Sequence, residues 1–200
     1  MAKLIELLGH EPVSPEEAKM QCYIDPTDIE AVDDIILARL AKAAREMAEN
    51  YTWYAYVYGR YEHTMRGFPE GEFEIPTPPL HEIESITYQT QSGEQTLDPS
   101  LYYVDAASEP GLIGPVFEWP FTLNRSGSVK VTYKAGYKSE PAEGDPPGII
   151  VPDQVKSAML IIVKFLFDYR DTIMPERTTP LRIPSAAMVM LDPYTLQRYV

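Results

Sequence analysis

The chain has 200 residues, 44% of them hydrophobic, and a formal net charge of −13 from 30 acidic and 17 basic side chains. This apolar content is enough for one domain with a core, or for one core plus an arm. Such an acid excess argues against a protein that grips nucleic acid by neutralising phosphates, although an acidic surface can lie beside DNA without holding it. The single cysteine, Cys22, excludes an internal disulfide.

Neither a signal peptide nor a membrane span is expected. The N-terminal apolar run is broken by Glu6 and lacks a cleavage site of small residues. The longest apolar run, 158–167, contains Lys164 and is too short to cross a bilayer. We therefore expect no membrane partner.

Helical signals dominate residues 1–60, which we assign to N-terminal helices. Ser14–Glu17 has the sequence of a capping box and predicts a short helix that ends near Cys22. A second start signal at Thr27–Glu30 precedes a long amphipathic pattern. Its predicted inner face consists of Ile29, Val32, Ile36, Leu40, Ala43, Met47 and Tyr51. The aromatic stretch 51–61 that follows is assigned either to core packing under a sheet or to a subunit interface.

Residues 61–137 form a β-rich insertion, because apolar and polar residues alternate with the period of a half-buried strand. The alternation is clearest at Val129, Val131 and Tyr133. Ile83 and Ile86 are out of phase for one regular strand, so either the strand begins near Ser85 or it contains a β-bulge. The segment 91–94 is expected to form a hairpin turn.

A proline- and acid-rich linker is predicted at 138–150, followed by a core helix at 151–170. The predicted inner stripe of this helix is Val155, Ala158, Met159, Ile162, Val163 and Leu166. The helix is apolar almost all round, which indicates burial on several sides or against another chain. Residues 171–200 form a proline-broken C-terminal arm. Because helix and strand signals are segregated along the chain, the predicted class is α+β.

No catalytic, cofactor-binding or metal site is expected. His10, His63 and His81 lie in separate segments without metal-ligand spacing, and none of the common catalytic motifs is present. Glu82 and Glu84 would share one face of a strand, where exposure to solvent is the ordinary outcome. One alternative is a small soluble α+β enzyme whose site assembles from His81, Glu84 and Asp105. A second alternative is a ligand-binding module that uses tyrosines and tryptophans of the sheet.

The order and spacing of the pieces resemble a known family. The pieces are Pro12–Lys19, Phe68–Pro69, Ile75–Leu80, Ile86–Tyr88, Leu97–Asp105, Trp119–Pro120, Val129–Tyr137 and a final helix from Val151 to about Arg170. Over roughly residues 12–173 the chain resembles the head–tail connector (adaptor, or head completion) proteins of tailed bacteriophages.

The resemblance implies a structural virion protein. Such a protein would form a homo-oligomeric ring of about a dozen copies under the portal, a closed symmetry of the kind oligomers use. Helices would form the ring body, the sheet would be a peripheral insertion, and tail or neck proteins would dock below. Genomic DNA would pass through the channel without specific binding. The protein would reside in the virion neck and, during assembly, in the host cytoplasm.

Apolar residues near the C-terminus are the candidate contacts to the portal or to a neighbouring subunit, because an apolar arm that cannot build its own core commonly docks in a groove. They are Met188, Met190, Leu191, Tyr194, Leu196 and Tyr199, together with Phe165, Phe167 and Arg170 of the core helix. Packing of the arm on its own subunit is the alternative. If the arm docks on a partner, truncation after Arg170 should leave a folded domain.

Overall fold

The computed structural model describes residues 2–24, 31–138, 150–169 and 183–196. The chain folds into two compact units. The first unit comprises Met1–His10 and Trp53–Ile149, and the second comprises Glu11–Thr52 and Ile150–Val200. Most of the predicted linker at 138–150, the start signal at Thr27–Glu30, Arg170 and Tyr199 lie outside the described residues.

The described residues confirm the α+β class, with four α-helices and two antiparallel sheets. The helices are Pro15–Cys22 (α1), Ala31–Thr52 (α2), Asp153–Asp168 (α3) and Ser185–Leu191 (α4). The strands are Lys3–Leu7 (β1), Gly59–Met65 (β2), Phe73–Glu74 (β3), Leu80–Thr90 (β4), Gly93–Thr96 (β5), Tyr102–Asp105 (β6), Leu112–Pro115 (β7) and Val129–Ala135 (β8).

The first unit contains both sheets, of order β1-β2-β8-β4-β5 and β3-β7-β6. The central strand β8 alternates as the sequence predicts, with Val129, Val131 and Tyr133 fully buried. The core packed around these side chains consists of Ala55, Tyr61, Phe73, Ile75, Leu80, Ile86, Leu97, Ile113 and Ala135. Burial of this apolar surface is the main force that holds the unit together.

Strand β1 corrects the assignment of residues 1–60 to helices. Lys3–Leu7 pairs antiparallel with β2, and the register shifts between Leu4 and Glu6. This irregularity interrupts the period-2 pattern, which is why the sequence does not show a strand there. The first unit is therefore built from two chain segments, one on each side of the N-terminal helices.

Strand β4 contains the β-bulge that was one of the two interpretations of Ile83 and Ile86. The register against β8 shifts between Ile83 and Ser85, and Ile86 is then fully buried. The predicted hairpin turn is also confirmed, since Thr90 pairs with Gly93 across a two-residue connection. The aromatic stretch contributes to the core of this unit, where Tyr56 and Tyr61 are buried.

The second unit is helical, and α1 begins with the predicted capping box. The backbone N–H of Glu17 donates to the Ser14 hydroxyl oxygen at 3.2 Å, and the Ser14 N–H donates to the Glu17 carboxylate at 3.0 Å. Two N–H groups that have no partner within the helix are thereby satisfied. The helix ends at Cys22, as predicted.

The predicted inner face of α2 is wrong by one residue. The buried apolar residues of α2 are Leu37, Ala41, Ala44 and Ala48. The larger side chains that were assigned to the core, among them Ile36, Leu40 and Met47, are only half-buried. Alanines let a neighbouring helix approach closely, and α2 packs on α3. The buried stripe of α2 therefore consists of Leu37 and three small residues.

Helix α3 follows its prediction closely. Five of the six predicted inner residues are buried, and Leu166 is half-buried. The remaining large apolar side chains are also half-buried, namely Leu160, Ile161, Phe165 and Phe167. Helix α3 therefore retains apolar surface that its own unit only partly covers.

Candidate functional site

The C-terminal arm places its apolar residues in two environments. Leu191 is fully buried and Leu196 is 8% exposed, because α4 packs against α3 within the helical unit. Met188, Met190 and Tyr194 are half-buried. Leu191 and Leu196 thus belong to the core of the helical unit, whereas the half-buried residues and Val189, which is 68% exposed, retain accessible surface.

Polar contacts also fix this part of the arm to the helical unit. The backbone N–H of Leu196 donates to the carbonyl oxygen of Thr52 at 2.8 Å. The side-chain amide of Gln154 donates to the carbonyl oxygen of Met190 at 3.1 Å. The Tyr51 hydroxyl donates to the Asp192 carboxylate. The start of α4 is set by Pro184, which precedes the first helical residue with an extended backbone.

Other exposed apolar side chains of the helical unit were not singled out from the sequence. Tyr23 is 89% exposed and Met20 is 63% exposed, both at the C-terminal end of α1, and Ile35 of α2 is 57% exposed. Tyr23 lies in the left-handed region, with φ of 59°, and the ammonium of Lys164 lies 5.7 Å from its ring centre. The available signal was the polar face of α1, on which Met20 follows Glu16 and Glu17 at helical spacing.

Arg45 forms the most buried ion pair of the described helical residues. It is 4% exposed and contacts Glu11 at 2.7 Å and Glu49 at 2.6 Å. Burial lowers the pKa of this guanidinium, but the two carboxylates outweigh burial and raise it above its ordinary value.

Acidic partners also neutralise three lysines of this unit. Lys19 contacts Asp34 at 2.5 Å, Lys156 contacts Glu17 at 2.6 Å and Lys164 contacts Asp168 at 2.5 Å. A DNA-binding surface needs basic side chains that are clustered and available to phosphates. These lysines do not form such a surface.

The residues proposed for an enzyme site are engaged in separate local contacts. His81 contacts the carbonyl oxygen of Gly136 at 2.8 Å through its Nε2 atom. Asp105 accepts hydrogen bonds from Ser108 and from the backbone after β6, and these bonds lower the pKa of its carboxyl group. A lowered pKa disfavours the protonated form that a general acid needs at neutral pH.

Glu84 and Glu82 lie on the outer face of the five-stranded sheet, as predicted, and both are paired with bases. Glu84 contacts Arg60 at 2.6 Å and Lys134 at 3.5 Å, while Glu82 contacts Lys134 at 2.5 Å. The hydrogen bond from Arg60 lowers the pKa of Glu84. These carboxylates form a cross-strand charge ladder on the sheet surface.

Trp119 is a packing anchor in the first unit. Its ring stacks on Phe68 with centroids 4.5 Å apart, and its indole N–H donates to the carbonyl oxygen of Gly71 at 2.7 Å. Phe73 packs against the same ring at 5.6 Å. These contacts hold the indole in one orientation.

Two further searches cover the described ranges only. They contain no group of three or more His, Cys, Asp or Glu side chains that could hold a metal ion. No helix in the described part of the chain is long and apolar enough to cross a membrane.

Comparison of sequences gives no match, either to a protein-family model or to a curated protein. Comparison of folds, in contrast, gives matches to solved structures. The chain superimposes on a chain from the virion of a native gene transfer agent (GTA) particle with a TM-score of 0.73 and 13% identity, covering 100% of this chain and 97% of that chain. A chain from the neck of an empty GTA particle, computed with C6 symmetry, gives 0.71 at 14% identity over 100% and 97%.

A third chain, from the neck of a native GTA particle computed with C12 symmetry, gives a TM-score of 0.66 at 14% identity. This match covers 99% of the present chain and 97% of the other. All three matches therefore include both units. At the level of the fold, the comparison agrees with the resemblance drawn from the sequence: the chain shares its fold with chains of the virion and neck of GTA particles.

Proposed function

We propose that this chain is a structural virion protein of the neck, a head–tail adaptor that forms a ring under the portal. The ring would extend the DNA channel and provide the docking surface for the tail. The observation that carries the proposal is the whole-chain fold match to neck proteins, one of them from a particle neck computed with C12 symmetry. By analogy with that symmetry, the ring would contain about a dozen copies.

The helical unit is proposed as the ring body. Its helix α3 carries Phe165, Phe167 and Ile161 in half-buried positions, and Met20 and Tyr23 add exposed apolar surface. Closed rings repeat one heterologous contact, so apolar surface on two parts of a subunit can be covered by neighbours on either side. Covering a large apolar side chain stabilises assembly by roughly 1.5–3 kcal/mol.

The accessible residues of the arm are proposed as the portal or neighbour contact. These are Met188, Val189, Met190 and Tyr194, of which Val189 is 68% exposed. Methionine adapts to imperfect grooves because its side chain is unbranched and flexible. Arg170 and Tyr199 remain proposed contacts on the sequence argument alone.

No catalytic role and no cofactor is proposed. The protein would reside in the virion neck at the head–tail junction and, before assembly is complete, in the host cytoplasm. Genomic DNA would pass the ring without specific binding, since the lysines described above are neutralised by carboxylates.

Reconstitution with the cognate portal tests the proposal. Purified protein is mixed with portal and imaged by cryo-electron microscopy, and a ring of adaptor copies attached to the portal is expected. Monomer alone in the absence of portal is compatible with the proposal, because the portal can act as template. Light scattering and imaging that find only monomer in the presence of portal would contradict it.

A pair of variants tests the arm. Val189→Asp places a charge on the most exposed apolar position of α4 and should abolish attachment to portal-bearing heads. Thr96→Asp, on the exposed strand β5, is the matched control and should attach normally. Both variants should melt at the wild-type temperature. Normal attachment of Val189→Asp would exclude the arm as the portal contact.

A further inference from the structure

A groove in the first unit has no role in the function proposed above. It lies between residues 66–71 and residues 115–124 and has a volume of about 680 Å³. Its walls are aromatic rings and prolines: Phe68, Phe117, Trp119, Phe121, Pro69, Pro115 and Pro120. Phe117 is 88% exposed and Phe121 is 77% exposed. Two phenylalanines exposed to this degree in one groove mark an interaction surface.

The groove is held open by its own framework. Phe68 and Phe73 pack against Trp119, and the hydrogen bond from the indole to Gly71 fixes the ring. A ligand therefore meets the stacked pair Phe68 and Trp119 already in place and does not have to order these two rings first. Proline-rich segments in extended conformation bind to such aromatic-lined grooves, because they lose little entropy on binding.

The charges of the groove select among proline-rich segments. Glu70, Glu118 and Arg66 line it, and none of the three forms an ion pair with another described residue. The segment 174–182 of this same chain has the complementary set: two bases, Arg177 and Arg182, and one acid, Glu176. It also contains two prolines at positions 175 and 180.

The other proline-rich segment of the chain, 139–149, does not complement the groove. It contains three prolines, but its charged residues are three acids without a base. Glu70 and Glu118 would repel it. Both segments are rich in proline but they differ in charge, which makes them a useful pair for experiment.

We propose that the groove binds segment 174–182 of a neighbouring copy, so that each subunit is linked to the next through the aromatic groove. This inference rests on the ring of the proposed function, which supplies the neighbour. The thirteen residues 170–182 lie between α3 and α4, both in the helical unit. Fully extended they span about 45 Å, so as a loop that leaves and returns they reach about 20 Å from that unit.

Fluorescence of Trp119 gives a direct test. The chain contains two tryptophans, and Trp53→Phe in the full-length protein leaves Trp119 as the only one. Titration with a synthetic peptide of residues 174–182 should produce a saturable change in Trp119 emission. Phe117→Ala combined with Phe121→Ala should weaken binding at least tenfold without lowering the melting temperature, because both side chains are exposed.

The peptide of residues 139–149 is the control and should cause no saturable change. Equal responses to both peptides would overturn the proposal, because the groove would then recognise proline without regard to charge. The titration is repeated in a full-length chain with Arg177→Glu and Arg182→Glu, whose own segments cannot fill the groove. Absence of a response to the 174–182 peptide in that protein as well would also overturn the proposal.

The outcome is separable from that of the proposed function. Rings on the portal without peptide binding would overturn this inference and leave the adaptor role intact. Peptide binding in a protein that never forms rings would support the specificity of the groove and contradict the adaptor role.

Discussion

Gly136 lies directly after β8 and adopts a φ of +98°, which residues with a side chain rarely do. A Cβ atom at this position would lie 2.0 Å from the carbonyl oxygen of Val57 and 2.8 Å from its carbonyl carbon. Both contacts are to backbone, which cannot move aside like a flexible side chain. Gly136→Ala should therefore destabilise the first unit by about 3 kcal/mol or more, measured by urea unfolding.

Gly93 provides the control for that substitution. Its φ is +118°, but no atom lies within 4 Å of the position of an added Cβ. Gly93→Ala should cost only the backbone strain, about 1–2 kcal/mol. Equal losses in the two variants would mean that strain alone, and not the contact with Val57, determines the effect.

Glu17 makes the stability of the helical unit depend on pH. Burial raises the pKa of its carboxyl group, but hydrogen bonds from Lys156 and from the Ser14 backbone outweigh burial and lower it below its ordinary value. A carboxylate whose pKa is lowered by folding stabilises the protein above its unfolded pKa, and this contribution is lost as the pH falls through the folded pKa.

Glu17→Gln should thus reduce stability by about 0.5–1 kcal/mol at pH 7, with a difference that vanishes near pH 3. Urea unfolding followed by circular dichroism at both pH values measures it. Glu16→Gln, at an exposed position of the same turn, is the control. A Glu17→Gln difference that stays constant with pH would rule out the charge as its cause.

Helix α4 differs most from its sequence prediction, because part of it lies in the core of the helical unit and not at a surface for a partner. Leu191 is fully buried against the helical unit, whereas Val189 is 68% exposed. Leu191→Ala should cost about 2–5 kcal/mol, because it leaves a cavity in a core. Val189→Ala should change stability by no more than about 0.5 kcal/mol. Thermal unfolding of both variants measures the contrast, and similar small losses would mean that α4 is only loosely attached.

The same burial alters the expectation for truncation after Arg170. The sequence alone predicts that this truncation leaves a folded domain, but it removes Ala187, Leu191 and Leu196 from the core. The truncated protein is now expected to be destabilised, so loss of portal attachment by it would not identify a contact. Single substitutions on exposed arm positions are the informative experiments.

Features that depend on residues close together in the sequence could be predicted correctly. The capping box at Ser14–Glu17 involves residues three apart, and the bulge near Ile83 breaks a period of two within one strand. Both depend on short-range geometry. Strand β1 was missed, because its bulge removes the periodicity and its partner β2 lies more than fifty residues away.

The face of α2 was misplaced for a different physical reason. Large apolar residues are expected to mark the core, but three of the four buried apolar residues of α2 are alanines, namely Ala41, Ala44 and Ala48. A hydrophobicity pattern gives most weight to large apolar side chains, whereas close packing of two helices favours side chains that are small enough for the helices to approach. The candidate contact residues are subject to the same limit, since burial of Leu191 depends on tertiary packing that the arm's own sequence does not reveal.

At the scale of the whole molecule, the order of the sequence pieces predicts the α+β class and the resemblance in fold. The interactions cannot be predicted in the same way, because they depend on the surfaces of other proteins. The match at 13–14% identity covers both units and therefore concerns the arrangement of elements, not individual side chains. The proposed partners, namely the portal, a neighbouring copy and DNA, would contact only the surface of the protein. Net charge is the surface property that can be read most directly from the sequence.

The net charge of −13 predicts that the protein has negligible affinity for duplex DNA. Phosphate contacts strengthen as salt is lowered, so a gel-shift assay at low ionic strength is the most sensitive condition. No shift is expected there, because Lys19, Lys156 and Lys164 are occupied by carboxylates of the same unit.

Charge reversal on exposed acids makes that absence interpretable. Glu16→Lys combined with Glu46→Lys changes the net charge from −13 to −9 and places two bases at exposed positions of the helical unit. Binding that appears in this variant and weakens steeply with salt would show that the assay detects electrostatic contacts when they exist. Tight binding by the unaltered protein would instead require a clustered basic surface other than Lys19, Lys156 and Lys164. It would contradict a channel that DNA passes without being held, since each neutralised phosphate adds affinity that the moving duplex would have to break.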